Sequence, residues 1–512
     1  MFKHSSFFSV KNKKKKLKKV VVIGSGFSGL AAACFLAKAG FQVTVLEKNS
    51  SPGGRARKFE ENGFVFDMGP SWYWMPDIFE KFFADFGKKP SDYYTLKQLD
   101  PSFQIFFPDG QPFIVPARLE DLYDLFERIE KGSAEKLRQF LKEGELKYRV
   151  AMDKLIYKPS VSWLEFASYE VISSAMKTNI FISMRQYIRR FFKDERLITL
   201  MEFPVIFLGA MPDKIPALYS LMNYAAFDMG TWYPMGGMCR ITEGMEKLAR
   251  SLGVKFELGT GVEKLETENG LVTGVRTAKG FFQADSVIAS ADYHHVEKDM
   301  LAENERNYTE KYWDKKVMAP SSLLFYLGVN KKVKGLLHHN LFFDTNFQKH
   351  AEQIYESPQW PDEPLFYACV PSLTDASVAP AGHENIFILI PLAAGLSDDK
   401  EKHEIYYNKV MSRLEKICGE EIRAHVIYKR SYCVADFTED YNAYKGNAYG
   451  LANTLGQTAV LKPGIRNKQL KNLFYTGQLT VPGPGVPPSI ISGEIAATEA
   501  LKHLKMANTV RH

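Results

Sequence analysis

Val20-Val21-Val22-Ile23 is apolar at four successive positions, which predicts a strand buried on both faces. Leu30 to Ala39 then carries apolar residues at helical spacing, with Gly40 at a C-cap position, and Gln42 to Leu46 reads as a second strand. Phe64-Val65-Phe66 alternates. A second stretch of this kind opens after Met238, with a helix to Leu252, a strand over Val254 to Leu258, a hairpin through Asn269-Gly270 and a buried strand between Asp285 and Asp292. Leu473 to Gly477 predicts a last strand, and a helix follows Pro487-Pro488. Residues 81–230 read as helical and irregular, and residues 301–460 leave the pattern again. Within the first of these, Phe181, Met184, Ile188 and Phe192 share one helical face, with Arg185 and Arg189 in the adjacent row. That face suits a membrane interface or the inside of a second domain. The expected class is α/β: a discontinuous Rossmann-like domain over residues 20–80, 231–300 and 461–512, and an inserted α+β substrate or membrane-associated domain over 81–230 and 301–460. Residues 1–19 form a basic tail.

Between the first strand and helix lie Gly24-Ser25-Gly26-Phe27-Ser28-Gly29. Glycines there let the backbone approach a pyrophosphate, whose charge meets the free N–H groups and positive dipole end of the helix. Glu47 follows Gly29 by 18 residues, where a dinucleotide fold places the carboxylate for ribose hydroxyls, and Lys48 stands beside it. A glycine turn with no ligand is the bland alternative, and the order strand, turn, helix, strand, acid weighs against it. Pro52-Gly53-Gly54-Arg55-Ala56-Arg57 is similar to the second diphosphate segment of the flavoprotein group that includes amine oxidases and carotenoid desaturases. In that group a segment such as Asp67-Met68-Gly69-Pro70-Ser71 passes close to the flavin ring, and a residue such as Val262 reaches the adenine through its backbone. Asp292, Gly477 and the turn Gly483-Pro484-Gly485-Val486-Pro487 complete the candidate cofactor-binding set, with FAD as the cofactor.

Composition narrows the function. A chain of 512 residues exceeds one compact core, and 45% hydrophobic content supports a full one in each domain. The formal charge of +7 is misleading: eight lysines lie in residues 1–19, which hold no acidic residue, so the remainder sums to −1. A nucleic-acid footprint is therefore not expected. The tail is either a solvated extension or a contact for anionic lipid. Val20 to Ala37 contains three glycines and two serines and makes a poor membrane span, so the expectation is a chain without spanning helices, cytoplasmic and peripherally associated with the membrane. The five cysteines lack paired spacing, which points to a reducing compartment and no metal site. His294-His295 and His338-His339 read as solvent or packing residues.

The chain resembles the bacterial-type phytoene desaturase family over nearly all of residues 20–505. Carrying the likeness are the Gly24 turn, Pro52-Gly53-Gly54-Arg55, Asp67-Met68-Gly69-Pro70-Ser71, Thr231-Trp232-Tyr233-Pro234-Met235-Gly236-Gly237-Met238 and Tyr475-Thr476-Gly477 with Pro482-Gly483-Pro484-Gly485-Val486-Pro487. Gln478-Leu479 departs from the small residues usual after that glycine. The resemblance implies FAD-dependent desaturation of a long polyene hydrocarbon, 15-cis-phytoene converted stepwise toward lycopene, with a quinone or oxygen as electron acceptor. Such a substrate offers no group to polarise, so the flavin takes hydride while the protein supplies an apolar tunnel. No base stands out in the sequence, and the catalytic residue stays unassigned. Related carotenoid oxidases, polyprenyl reductases and flavin-free prenyl escort proteins share the scaffold. Intact Gly24, Gly26, Gly29, Glu47 and Arg55 argue against the escort reading.

Overall fold

The computed structural model describes residues 17–166, 182–206 and 209–509. Two sheets organise them. The first is five-stranded and parallel, in the order Leu473–Tyr475, Ser286–Ala289, Lys19–Ile23, Gln42–Leu46, Lys255–Glu257. Lys19–Ile23 sits at its centre, which explains its unbroken apolar run: Val20 and Val22 pack into one core cluster, Val21 and Ile23 into another. Helices Phe27–Lys38, Cys239–Ser251 and Val486–Thr509 cover the first face. An antiparallel sheet of Val262–Glu268, Leu271–Thr277 and Gly280–Gln283 adjoins the second, its first turn made by Asn269 and Gly270, both at positive φ.

The first helix starts at Phe27, three residues before the apolar periodicity predicts. Gly26 is its extended N-cap, and the Leu30 N–H donates to the Gly26 carbonyl at 2.9 Å. Phe27, Ser28 and Gly29 thus form the first helical turn rather than the preceding loop.

The second sheet has seven strands, in the order Val426–Tyr432, Ser321–Val329, Glu384–Leu392, Phe366–Cys369, His339–Phe342, Phe103–Phe106, Pro112–Val115. The last two lie in the segment expected to be helical and irregular. Phe103, Gln104, Ile105 and Phe106 are all buried, so the strand shows no alternation to detect. Helix Lys400–Cys418 covers one face, packing Tyr407, Val410 and Leu414 near Leu323, Phe325 and Leu327. The alternate residues Ser322 and Leu324 face a large cavity on the other side.

The arginine-bearing amphipathic stretch turns inward. Met184–Ile188 is helical, Met184, Ile188 and Phe192 are buried, and Arg185 pairs with Glu202 at 3.0 Å. Phe181 lies outside the described residues. No helix among the described residues is long and apolar enough to cross a membrane. Apolar side chains are instead exposed at Val161, Trp163 and Leu164, the last 82% accessible.

Candidate functional site

The glycine turns meet. The Gly53 N–H donates to the Ser25 carbonyl at 2.9 Å, and a Cβ on Gly54 would stand 3.0 Å from the Gly26 Cα, so the two diphosphate segments touch backbone to backbone. A side chain on Gly29 would collide with the Gly24 carbonyl oxygen. Ser28 Oγ lies 2.8 Å from Ser290 Oγ, and Gly477 backs onto the same hydroxyl.

Glu47 ends the second strand, buried. One carboxylate oxygen accepts the Ser25 N–H at 2.9 Å and the Ser25 hydroxyl at 2.7 Å, and the other accepts the Asn49 N–H at 2.9 Å. The acid is thereby oriented beside the first glycine turn with acceptor capacity remaining. The Glu47 carbonyl accepts the Thr260 N–H at 2.7 Å, which sets Gly261 and Val262 next to it. Lys48 turns away, its ammonium donating to the Glu439 carbonyl at 2.5 Å, and burial pulls it below its ordinary range.

Arg55 is the strongest sign of an anion-binding site. Its Nη2 donates to the Asn447 carbonyl at 3.1 Å, its guanidinium lies 4.8 Å from the Tyr441 ring centroid, and its buried Nε has no partner. Burial lowers its proton affinity, the expected response of a cation short of hydrogen-bond acceptors. A diphosphate between the touching glycine turns and this guanidinium satisfies both, so these residues fit the nucleotide part of FAD.

Two expected cofactor contacts are otherwise engaged. Asp67 accepts the Met238 and Cys239 N–H groups at 2.7 and 3.0 Å and so caps helix Cys239–Ser251, with its pKa pushed up to about 6 by burial. Asp292 caps helix Tyr293–Met300 through the His294 N–H at 3.1 Å and accepts the Tyr444 N–H at 3.2 Å; burial raises it as well. Both side chains therefore position segments, since buried carboxylates take the nearest free backbone donors.

Phe27, Arg55, Gly69, Pro70, Ser71 and the turn at Gly485-Val486-Pro487 line one end of a long, predominantly apolar cavity. Helix Val486–Thr509 begins at Val486, so Pro487 and Pro488 fall within its first turn and supply no N–H, while the Ser489 N–H is held by the Gly485 carbonyl at 3.0 Å. The row of free helical amides expected at this turn reduces to those of Gly485 and Val486. From here the cavity runs along the seven-stranded sheet past Leu324, Leu341 and Leu389 to Phe347, Ile354 and Tyr355.

The sequence profile of the flavin containing amine oxidoreductase family matches residues 27–501. The chain belongs to this family. Within it the chain is a carotenoid desaturase family protein and an FAD-dependent oxidoreductase. It is 42% identical to the carotenoid 3,4-desaturase of Haloarcula japonica over 94% of this chain and 97% of that one. It is 32% identical to the zeta-carotene-forming phytoene desaturase of Myxococcus xanthus, over 94% of each. An oxidoreductase of Methanosarcina mazei shares the fold with a TM-score of 0.61 at 16% identity, over 93% of this chain and 99% of that structure.

Several features of this desaturase family site were not legible in the sequence. His338 and His339 are buried rather than solvent-facing, and their side chains cluster with Cys369 from the neighbouring strand. Burial pushes His338 down to about 3 and His339 well below the usual range. Behind the C-terminal turn, the buried Lys462 Nζ and Asn453 Oδ1 flank Gly483 without hydrogen-bond partners, and burial pushes the lysine down to about 7. Only pairing and packing bring these distant residues together.

Proposed function

We propose that the protein converts 15-cis-phytoene stepwise to more conjugated carotenes such as lycopene. The observation that carries this reading is the long apolar cavity opening from the cofactor turns. Its lining is predominantly apolar all the way from the cofactor turns at Pro70 and Pro487 to Ile354 and Tyr355, which suits a flavin ring at one end and an extended hydrocarbon chain along the rest. Bound FAD supplies hydride acceptance. Gly24 to Gly29, Gly54 and Arg55 hold the diphosphate, Glu47 the ribose, Val262 the adenine edge, and Gly69 to Ser71 with Gly485 to Pro487 border the ring. The apolar wall excludes water and aligns one carbon–carbon bond with the ring, the positioning that an unactivated hydrocarbon requires.

The domain division expected from the sequence places the cofactor on the parallel sheet and the chain-binding wall on the seven-stranded one. Substrate that partitions into lipid must enter from it, and we assign the exposed Val161, Trp163 and Leu164 to a peripheral membrane contact, with the basic tail as a second candidate. A quinone or oxygen reoxidises the flavin.

The 42% likeness to a carotenoid 3,4-desaturase favours one second reading, desaturation at the 3,4 position of an already conjugated carotenoid. Pigment analysis of two hosts expressing this protein, one accumulating 15-cis-phytoene and one accumulating lycopene, separates them. Coloured products in the first host support the proposal. Phytoene left unchanged there, with new products in the second, replaces it by 3,4-desaturation.

A further inference from the structure

Desaturation removes a proton as well as a hydride, and the cavity is lined by one imidazole and several hydroxyls that could take it. His350 lines the cavity, but its Nδ1 accepts the Leu365 N–H at 3.0 Å and its Nε2 lies 3.0 Å from the Pro391 carbonyl, so both ring nitrogens are committed. Arg55 has no acceptor. Ser71 and Tyr367 also line the wall, and they belong to a chain leading out of it. The Tyr367 hydroxyl donates to Ser71 Oγ at 3.0 Å and lies 2.6 Å from His339 Nδ1. His339 is fully buried, its Nε2 has no hydrogen-bond partner, and the Trp72 ring stacks on it with centroids 3.9 Å apart and planes 13° from parallel.

We propose that Ser71, Tyr367 and His339 form a proton relay that carries the substrate proton from the cavity wall to a buried imidazole. The proposal rests on the desaturase reading above. Bound FAD would supply the hydride acceptor for one allylic carbon of the substrate. At the neighbouring carbon the C–H bond breaks, its electron pair becomes the new π bond, and its proton goes to Ser71 Oγ. The Tyr367 hydroxyl first turns from Ser71 Oγ to His339 Nδ1; the Ser71 proton then passes to the Tyr367 oxygen as the Tyr367 proton passes to His339 Nδ1. Ser71 and Tyr367 end as they began, and His339 ends as an imidazolium. Before the step, burial holds the ring neutral, and the relay uses the tautomer that carries its proton on Nε2 and leaves Nδ1 open to accept. After it, the face of Trp72 attracts the cation, the stacking partner best suited to that task. Ser71 is the catalytic residue of this set, and Tyr367 and His339 act through it.

Anaerobic mixing of FAD-loaded protein with the polyene, followed by loss of oxidised flavin absorbance, tests the relay in Tyr367→Phe and His339→Gln. Reduction is expected to slow on the order of a hundredfold in both. FAD content, Tm and substrate KM should stay at wild-type values, and deuterium at the carbon losing the proton should produce a larger isotope effect in the variants. Independently of turnover, ¹⁵N-histidine NMR of the wild type should show His339 with an unprotonated Nδ1, a signal that moves in Tyr367→Phe. Variant rates equal to wild type, rates that fall only in step with Tm or FAD content, or a protonated Nδ1 overturn the relay alone. Ser71→Ala supplies a second reading should either variant fold poorly, and an unaltered rate there has the same force. Wild-type flavin that the polyene does not reduce overturns the desaturase reading, and the relay with it.

Discussion

Arg55 has one hydrogen bond to a protein carbonyl and a buried Nε with none, an arrangement costly for a cation without an anion beside it. Arg55→Met is therefore expected to leave the FAD-free protein at least as stable as wild type while weakening FAD binding ten- to a hundredfold, each charge-assisted hydrogen bond being worth roughly 1.5–3 kcal/mol. Melting curves with and without FAD, alongside a flavin titration, check both halves; a destabilised FAD-free variant would mean that the arginine serves packing. Asp67 makes a different prediction at the same scale. Its pKa is raised to about 6 in the folded protein, above the unfolded value, so its contribution to stability is fully present below about pH 4 and lost as pH rises through 6. Asp67→Asn cannot titrate, so the Tm advantage of wild type over the variant should shrink between pH 4 and 7. A constant difference across that range would show that the carboxyl does not titrate there.

Helix ends decide the element scale. The crossing of Phe27–Lys38 with Val486–Thr509 brings the Gly493 Cα against the Ser28 carbonyl, where an added Cβ would collide with backbone. Overpacking of this kind costs about 1–3 kcal/mol, and because Ser28 belongs to the first turn of the cofactor helix, Gly493→Ala should lower Tm and FAD affinity together. A variant that melts lower yet binds FAD normally would uncouple the crossing from the site. Gly485, at φ +111°, precedes the C-terminal helix, and a Cβ there would meet the Pro488 ring at 3.2 Å. Gly485→Leu carries backbone strain of about 1–3 kcal/mol in addition to any effect on the ring site. Its desaturation should fall further than its Tm, measured on one FAD-loaded preparation; parallel losses would mark the turn as structural.

At the scale of the whole molecule, the cavity joins the cofactor turns to one face of the seven-stranded sheet, and its far wall includes Ala351, buried on the helix Phe347–Tyr355. Ala351→Trp should fill that end, leave FAD content unchanged and truncate the series of products, with fewer double bonds introduced per molecule. Chromatography of pigments from the phytoene host reads the outcome, and an unchanged product series would mean that the polyene does not extend that far. Trp163→Ser with Leu164→Ser should reduce cosedimentation with anionic vesicles severalfold if residues 161–164 touch lipid, and full retention would shift that contact elsewhere.

Local pattern determined what depends on neighbours in the chain. Val20 to Ile23, the glycines after it, Glu47 and the Asn269-Gly270 turn are each specified by spacing and steric demand within a few dozen residues, and so the candidate nucleotide contacts, Arg55 among them, could be named from local sequence. What depends on long-range pairing could not. Phe103–Phe106 and its hairpin partner Pro112–Val115 join a sheet whose other five strands begin more than 200 residues later, and the burial of Phe103–Phe106 on both faces erases the alternation that marks a strand. The amphipathic stretch at Met184 has one pattern and two possible partners, lipid or core, and only packing chose the core. That the Asp67 and Asp292 side chains accept helix amides was not readable locally, because those amides come from segments that only the fold brings beside them or that only the helix ends define. Ser71, Tyr367 and His339 lie far apart in sequence with no shared motif, and strand pairing of His339 with Cys369 is what sets the imidazole beside Tyr367. Chemistry carried by one segment is written in that segment, while chemistry assembled across a cavity exists only once the fold has closed around it.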